Sequence, residues 1–272
     1  MRIFCILIAI GALCYPYLKR WHPKVNILFS IVFLCALCLV PFISPHPMID
    51  VFVVQQEASK ALLHALNPYS ISYTNIYGNT PWYPGGEAKF YPYPPASLLF
   101  ALTSVVTGDV RWVLIFCHFL TGVFIFLTAR ERKISLTESF LLAVAFCYIP
   151  RIFFNIEQAW TDTTVVFALS LFAYYFNRSK NTKALLSAGF ALSLKQTTIF
   201  LVPLFFGLFK KWNLKNFILL FLLCFLTYGV FALWNWHDLF EDVIKFHFAT
   251  PFRDDALTLS AVLHRLGYAP LP

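Results

Sequence analysis

The chain has 272 residues, of which 59% are hydrophobic, 19% aromatic and only 12% charged, with a formal net charge of +8 and a mean hydropathy of +0.69. A soluble domain carries about 25% charged residues, so the composition excludes a soluble globular protein and implies an integral membrane protein with aromatic belts at the interfaces. The positive charge lies in short loops between apolar runs, the positive-inside arrangement, which excludes nucleic acid as a partner.

Apolar segments follow one another at 3–18, 27–43, 96–107, 112–128, 139–150, 163–176, 184–209 and 216–234. The pattern predicts an all-α, polytopic bundle of about seven to eight hydrophobic segments, given that a full span takes roughly 17–25 residues. The shorter segments are expected to be half-spans or turns buried by their neighbours, within a single transmembrane domain over 1–272. Segment 3–18 lacks a small-x-small cleavage site and ends in Tyr15-Pro16-Tyr17 before a basic loop, which marks a retained helix rather than a signal peptide. All seven cysteines lie in apolar runs. Cys35 and Cys38 form a C-x-x-C without a second ligand pair, so they are read as packed thiols.

Four loops carry the basic residues: Lys19/Arg20/Lys24, Arg130/Arg132/Lys133, Arg178/Lys180/Lys183 and Lys210/Lys211/Lys215. They hold 12 of the 21 Lys and Arg but have only Glu131 and Glu138 of the 13 acids in or beside them. Placing these loops in the cytoplasm puts 44–95, 151–162 and 235–272 outside, with the acids on one face. It also requires that 96–107 be less than a full span and that 184–209 be two half-spans turning near Lys195-Gln196.

The outer loop from 44 to 95 is the most informative stretch. After Pro45-His46-Pro47, Asp50 opens a helix expected over about 50–66, with Val51, Val54, Ala58, Ala61, Leu62 and Ala65 on one face, the period of an amphipathic interfacial helix. Glu57 lies two turns after Asp50 on the same side. Asn67-Pro68 is expected to stop the helix, because proline disfavours the helical conformation in the residue before it. Turn-rich residues follow, up to Phe90-Tyr91-Pro92-Tyr93-Pro94-Pro95. No internal repeat, Gly-rich phosphate loop, G-x-S-x-G or H-E-x-x-H is present. Asn177-Arg178-Ser179 matches a glycosylation sequon but sits beside a basic loop and is read as a chance match.

This outer loop, with Asp50, the amphipathic helix, Leu66-Asn67-Pro68-Tyr69 and the Tyr-Pro-rich return to the membrane, resembles the GT-C superfamily of membrane glycosyltransferases. Within it the chain is most similar to the bacterial polyprenyl-phosphate-mannose-dependent mannosyltransferase-like group. Gly108-Asp109-Val110-Arg111, Lys195-Gln196 and Pro251-Phe252-Arg253-Asp254-Asp255 add to the likeness, which covers residues 44 to 260. Members are usually longer, with more spans after the Pro-Phe-Arg-Asp loop, so the resemblance implies a truncated member.

The resemblance implies inverting transfer of a hexose, with mannose expected, from a polyprenyl-phosphate donor to an acceptor hydroxyl on a glycan, lipid or protein. The reaction belongs on the extracytoplasmic face of a bacterial inner membrane. It assigns Asp50 as catalytic base, which must take the proton of the attacking hydroxyl; alone, an Asp at a helix start also reads as an N-cap. Glu57, Glu157 and Asp162 are candidates for acceptor binding, and loop or helix-face solvation explains each equally well. For the departing phosphate the candidates are Lys89, Arg151, Lys195, with its neighbour Gln196, and Arg253, because cations steady the charge that grows there. Lys195 stands out by interrupting a 26-residue apolar run (184–209), where an ionisable residue is costly and defaults to function; snorkelling at the interface is its structural alternative. Tyr91 and Tyr93 are placed to hydrogen-bond or stack on sugar, or to anchor the interface. His46 is read as a loop residue. No cofactor is required, and a metal-free reaction is expected, although Glu157 or Asp162 would also suit a divalent ion.

A second class remains open: a transporter, flippase subunit or accessory protein without catalysis, for which broken helices and an intramembrane lysine would fit. A third is an inactive remnant of the transferase.

Overall fold

The computed structural model describes residues 23–80, 83, 86–209, 211–249, 252 and 259–268, so segment 3–18, Lys210 and Arg253 lie outside the described residues. Among the described residues the chain is helical without strands; only isolated bridges join Tyr73 to Ala88 and Thr80 to Tyr83.

Two helices are long and apolar enough to cross a membrane, α6 (Arg111–Glu131) and α12 (Leu214–Phe240, continuing to Ala249). The pair α7 (Leu136–Cys147) and α8 (Arg151–Glu157) makes a third if its 50° bend is counted as one broken span. Pro150 explains that bend, since it offers no N–H and its ring crowds the preceding turn. The remaining apolar helices are shorter: α1 (Pro23–Cys38) with α2 (Val40–Ile43), α4 (Pro95–Ala101) with α5 (Ser104–Thr107), α9 (Asp162–Asn177), α10 (Asn181–Leu194) and α11 (Val202–Leu208). The coarse expectation of an all-helical chain with membrane-length helices therefore holds. Segment 96–107 is the short helix expected, closed by Gly108 in the left-handed conformation at φ +80°, which only glycine adopts without cost.

The segment 184–209 breaks where its lone cation predicts. Lys195 is extended (φ −152°, ψ 137°) between α10 and a 3-10 turn over Gln196–Leu201. The chain then doubles back. Phe205 packs edge-on against Phe172 at 5.0 Å, and Phe209 meets Phe176 at 5.5 Å, at the end of α9 beside the start of α10.

Helix α10 is the axis of the bundle, with Ala184, Leu185, Ser187, Ala188, Gly189, Ala191, Leu192, Ser193 and Leu194 all buried. Small residues let backbones approach where lipid supplies no hydrophobic drive. At Gly189 a Cβ would stand 2.1 Å from Leu220 O of α12, so hydrogen is the only side chain the crossing admits. Gly122 of α6 is similarly tight against Cys147 of α7.

The bundle has two chemically different ends. At one, Arg178 pairs with Glu131 at 3.4 Å, Arg132 binds Asn177, and Lys183 lies over the Tyr175 ring at 5.3 Å. Asp50, Glu57, Asp109, Glu157, Asp162 and Asp242 are brought together at the other, through the contacts described below.

The first long loop folds onto that acidic end. Helix α3 runs Asp50–Leu63, a turn shorter than the expected 50–66. Ala65 takes a left-handed φ of +54° and Leu66 N–H bonds back to Ala61 O at 2.9 Å, a backbone cap of the Schellman type that ends the helix before Pro68 acts. Val54 and Ala58 of α3 bury against Tyr69, Tyr73, Tyr91, Phe231 and Val243. The apolar face expected to lie on lipid is thus partly taken by a tyrosine cluster.

Candidate active site

Asp50 is the first residue of α3, and Ile49 before it offers no side-chain cap. Its backbone N–H, an orphan of the helix start, donates to Tyr77 Oη at 3.2 Å. Its carboxylate accepts from Val51 N–H at Oδ1 (2.8 Å) and from the Tyr83 hydroxyl at Oδ2 (2.6 Å). Tyr77 and Tyr83 are stacked, ring centres 6.0 Å apart at 26°.

Tyr93 links this group to Asp162 at the start of α9. Burial raises its phenol far above the ordinary range, and the nearby charges of Asp50 and Asp162 raise it further. It therefore stays a neutral hydrogen-bond donor beside two carboxylates. Asp162 opens α9 and holds Lys195 Nζ at 2.6 Å, with both side chains part-exposed. The break at Lys195 thus brings a cation from one end of α10 to the face that carries Asp50 and Tyr93.

The other expected residues fall into distinct positions. Gln196 is a staple: its side-chain amide nitrogen lies 2.8 Å from Pro92 O, 3.0 Å from Val243 O and 3.1 Å from His247 Nε2. It ties the return segment to the π-helical turn Glu241–Lys245. Asp242 in that turn is buried and accepts Tyr91 N–H at 2.8 Å. Tyr91 itself is fully buried, its hydroxyl donating to Gln55 Oε1 at 2.9 Å. It has no surface to offer a sugar. Glu57 accepts both the N–H and the hydroxyl of Thr74, at 2.9 and 2.6 Å, and so anchors the loop. Glu157 accepts the Ser44 hydroxyl at 3.1 Å. Lys89 is a surface pair with Glu87, and the Arg151 guanidinium lies over Phe154 and Trp160 at 4.4 and 5.6 Å.

One motif carries more structure than its spacing suggested. Arg111 is wholly buried, donating to Asp109 at 2.6 Å, Ser44 O at 2.7 Å and Pro41 O at 3.3 Å, with its guanidinium 4.7 Å from the Phe52 ring centre. Gln56 of α3 reaches the same turn, donating to Gly108 O and accepting from Val110 N–H, both at 3.0 Å. The turn 108–111 therefore clamps both flanks of Asp50.

Tyr77 and Tyr83 are absent from the residues expected above: they lie in the turn-rich part of the loop where no period singles out a residue, and the one signal for them is the density of tyrosine between 69 and 93. Among the described residues no three His, Cys, Asp or Glu side chains stand together as metal ligands. Comparison with family models, curated proteins and solved structures yields no match.

Proposed function

We propose that this chain is a GT-C-like membrane glycosyltransferase that moves a hexose, mannose in the first instance, from a polyprenyl-phosphate donor to an acceptor hydroxyl with inversion. One observation carries the proposal. Asp50, Tyr93 and the Asp162–Lys195 pair, distant in sequence, converge at the acidic end of an apolar helical bundle. The positive-inside rule supports a cytoplasmic position for the opposite, basic end and an outer-face position for this site, which we assign to a bacterial plasma membrane.

In this reaction Asp50 takes the proton of the acceptor hydroxyl as its oxygen attacks the anomeric carbon. The bond from that carbon to the lipid phosphate breaks, and the phosphate leaves with the electron pair. Lys195 offers its charge to the phosphate by exchanging Asp162 for the ligand, where negative charge grows in the transition state. Tyr93, held neutral, donates a hydrogen bond to the sugar or to Asp50. Partial exposure of both Asp162 and Lys195 supports such an exchange, because neither is sealed from a ligand.

The helix break at Lys195 also favours one other reading, a carrier with a half-helix binding site. The two separate on membranes supplied with radiolabelled polyprenyl-phosphate mannose. The transferase incorporates label into a new glycoside above the level of membranes lacking the chain, whereas a carrier releases or moves label without forming one.

A further inference from the structure

We propose that Tyr83 is a positioning residue that fixes the second oxygen of the Asp50 carboxylate, and with it the reacting orientation of the base. The proposal rests on Asp50 as base. An aspartate at the first position of a helix faces several orphan N–H groups, and capping them is its default use. Ile49 offers those donors no side-chain cap, and Asp50 Oδ1 itself accepts one of them, Val51 N–H, at 2.8 Å. Held through Oδ1 alone, the carboxylate would leave the direction of its second oxygen unfixed. Tyr83 supplies the second point of attachment: its hydroxyl donates to Asp50 Oδ2 at 2.6 Å, the short length of a charge-assisted bond.

The loop that carries Tyr83 is built to keep it there. Glu57 pins Thr74 to α3 through two hydrogen bonds. Asn75 then shapes the turn, donating to Gly78 O at 2.7 Å and accepting Tyr77 N–H at 2.8 Å, while Gly78 supplies a φ of +68°. Tyr77 receives the Asp50 N–H and stacks on Tyr83. Tyr83 is itself 7% exposed, so its ring has little freedom to leave. The loop grips one residue by backbone and carboxylate together.

The test is a double-mutant cycle on the full chain in membranes, measuring sugar transfer for Tyr83→Phe, Asp50→Asn and the pair. Tyr83→Phe lowers kcat about ten-fold while donor KM stays within about two-fold, the signature of an interaction used in the transition state. In the Asp50→Asn background the same change moves the residual rate by less than about two-fold. An equal loss in both backgrounds, or no loss in kcat, overturns the proposal. A second measurement needs no activity: 3-fluorotyrosine at position 83, read by fluorine NMR on the purified chain. Its resonance moves on Asp50→Asn and stays on Lys89→Gln; a resonance indifferent to Asp50 overturns the contact. A chain that transfers no sugar in any form overturns the reaction and the catalytic role of Tyr83 with it, while the fluorine shift still decides whether the brace exists.

Discussion

Lys195 Nζ stands 2.6 Å from Asp162 Oδ1, and the two side chains are 30% and 48% exposed. An ion pair this open contributes only about 0.2–1 kcal/mol to stability. Lysine inside a membrane segment costs about 2.5–3.5 kcal/mol at mid-helix, so breaking the helix at Lys195 and bringing the residue to the polar face removes much of that cost. The pair adds little to the fold, and its exposure leaves it available to a ligand. Lys195→Met is therefore expected to lower transfer about a hundred-fold, the scale for losing one donor to developing charge. The melting temperature of the purified chain should move by less than about 4 °C, since 1 kcal/mol corresponds to roughly 2–4 °C at this size. A large fall in melting temperature with transfer intact would make the pair structural.

Tyr91 and Tyr93 are separated by a single proline but sit among different partners. Tyr91→Phe removes the donor to a fully buried Gln55, whose amide nitrogen has no partner either. The expected cost is about 1–3 kcal/mol of stability, seen as a lower midpoint on thermal unfolding, with donor KM unchanged. Tyr93→Phe should do the reverse, changing kinetics and leaving the midpoint nearly in place. Calorimetry and initial rates on the two variants check the assignment together.

Replacing Gly189 tests the axis of the bundle. An added methyl group meets a backbone oxygen of α12 at 2.1 Å, and overpacking of this kind costs about 1–3 kcal/mol. A Cβ added at Gly229, on α12 itself, would meet nothing within 4 Å, so Gly229→Ala should be neutral or stabilising by about 0.5–1 kcal/mol. Comparing the melting temperatures of Gly189→Ala and Gly229→Ala decides the point, because both changes add the same atoms.

Arg111→Met should be among the most damaging single changes. It strips Asp109 of its cation and leaves Ser44 O and Pro41 O without their shared donor, and breaking a buried pair costs about 3–5 kcal/mol. Arg111→Lys cannot span the same three partners, because an ammonium is a point charge without a planar fork. Trypsin susceptibility of the loop 44–95 should rise in both variants.

Much of this arrangement is legible in the residues alone. The break at 195 follows from one cation in an apolar run, and the start of α3 from Asp50 after a proline-rich turn. The rest depends on three-dimensional neighbours. Tyr91 and Tyr93 look alike until Gln55 and Asp242 are placed against the first and Asp50 and Asp162 near the second, Glu57 reads as a solvated face until Thr74 is placed against it, and Tyr77 and Tyr83 sit in a turn with no repeating pattern. The break inside α12 at Asn235 (φ −158°, ψ 95°) falls at no proline or glycine. There the Asn235 side chain bonds Asp238 Oδ2 at 2.7 Å and Ser70 Oγ at 3.3 Å, and such local competition with the helix is invisible to periodicity.

The decisive measurement is sugar transfer from radiolabelled polyprenyl-phosphate mannose in membranes bearing wild type or Asp50→Asn at equal insertion. Wild type should transfer, and the variant should lose at least about a hundred-fold. Equal transfer by both would remove Asp50 from the chemistry and overturn its role as the base.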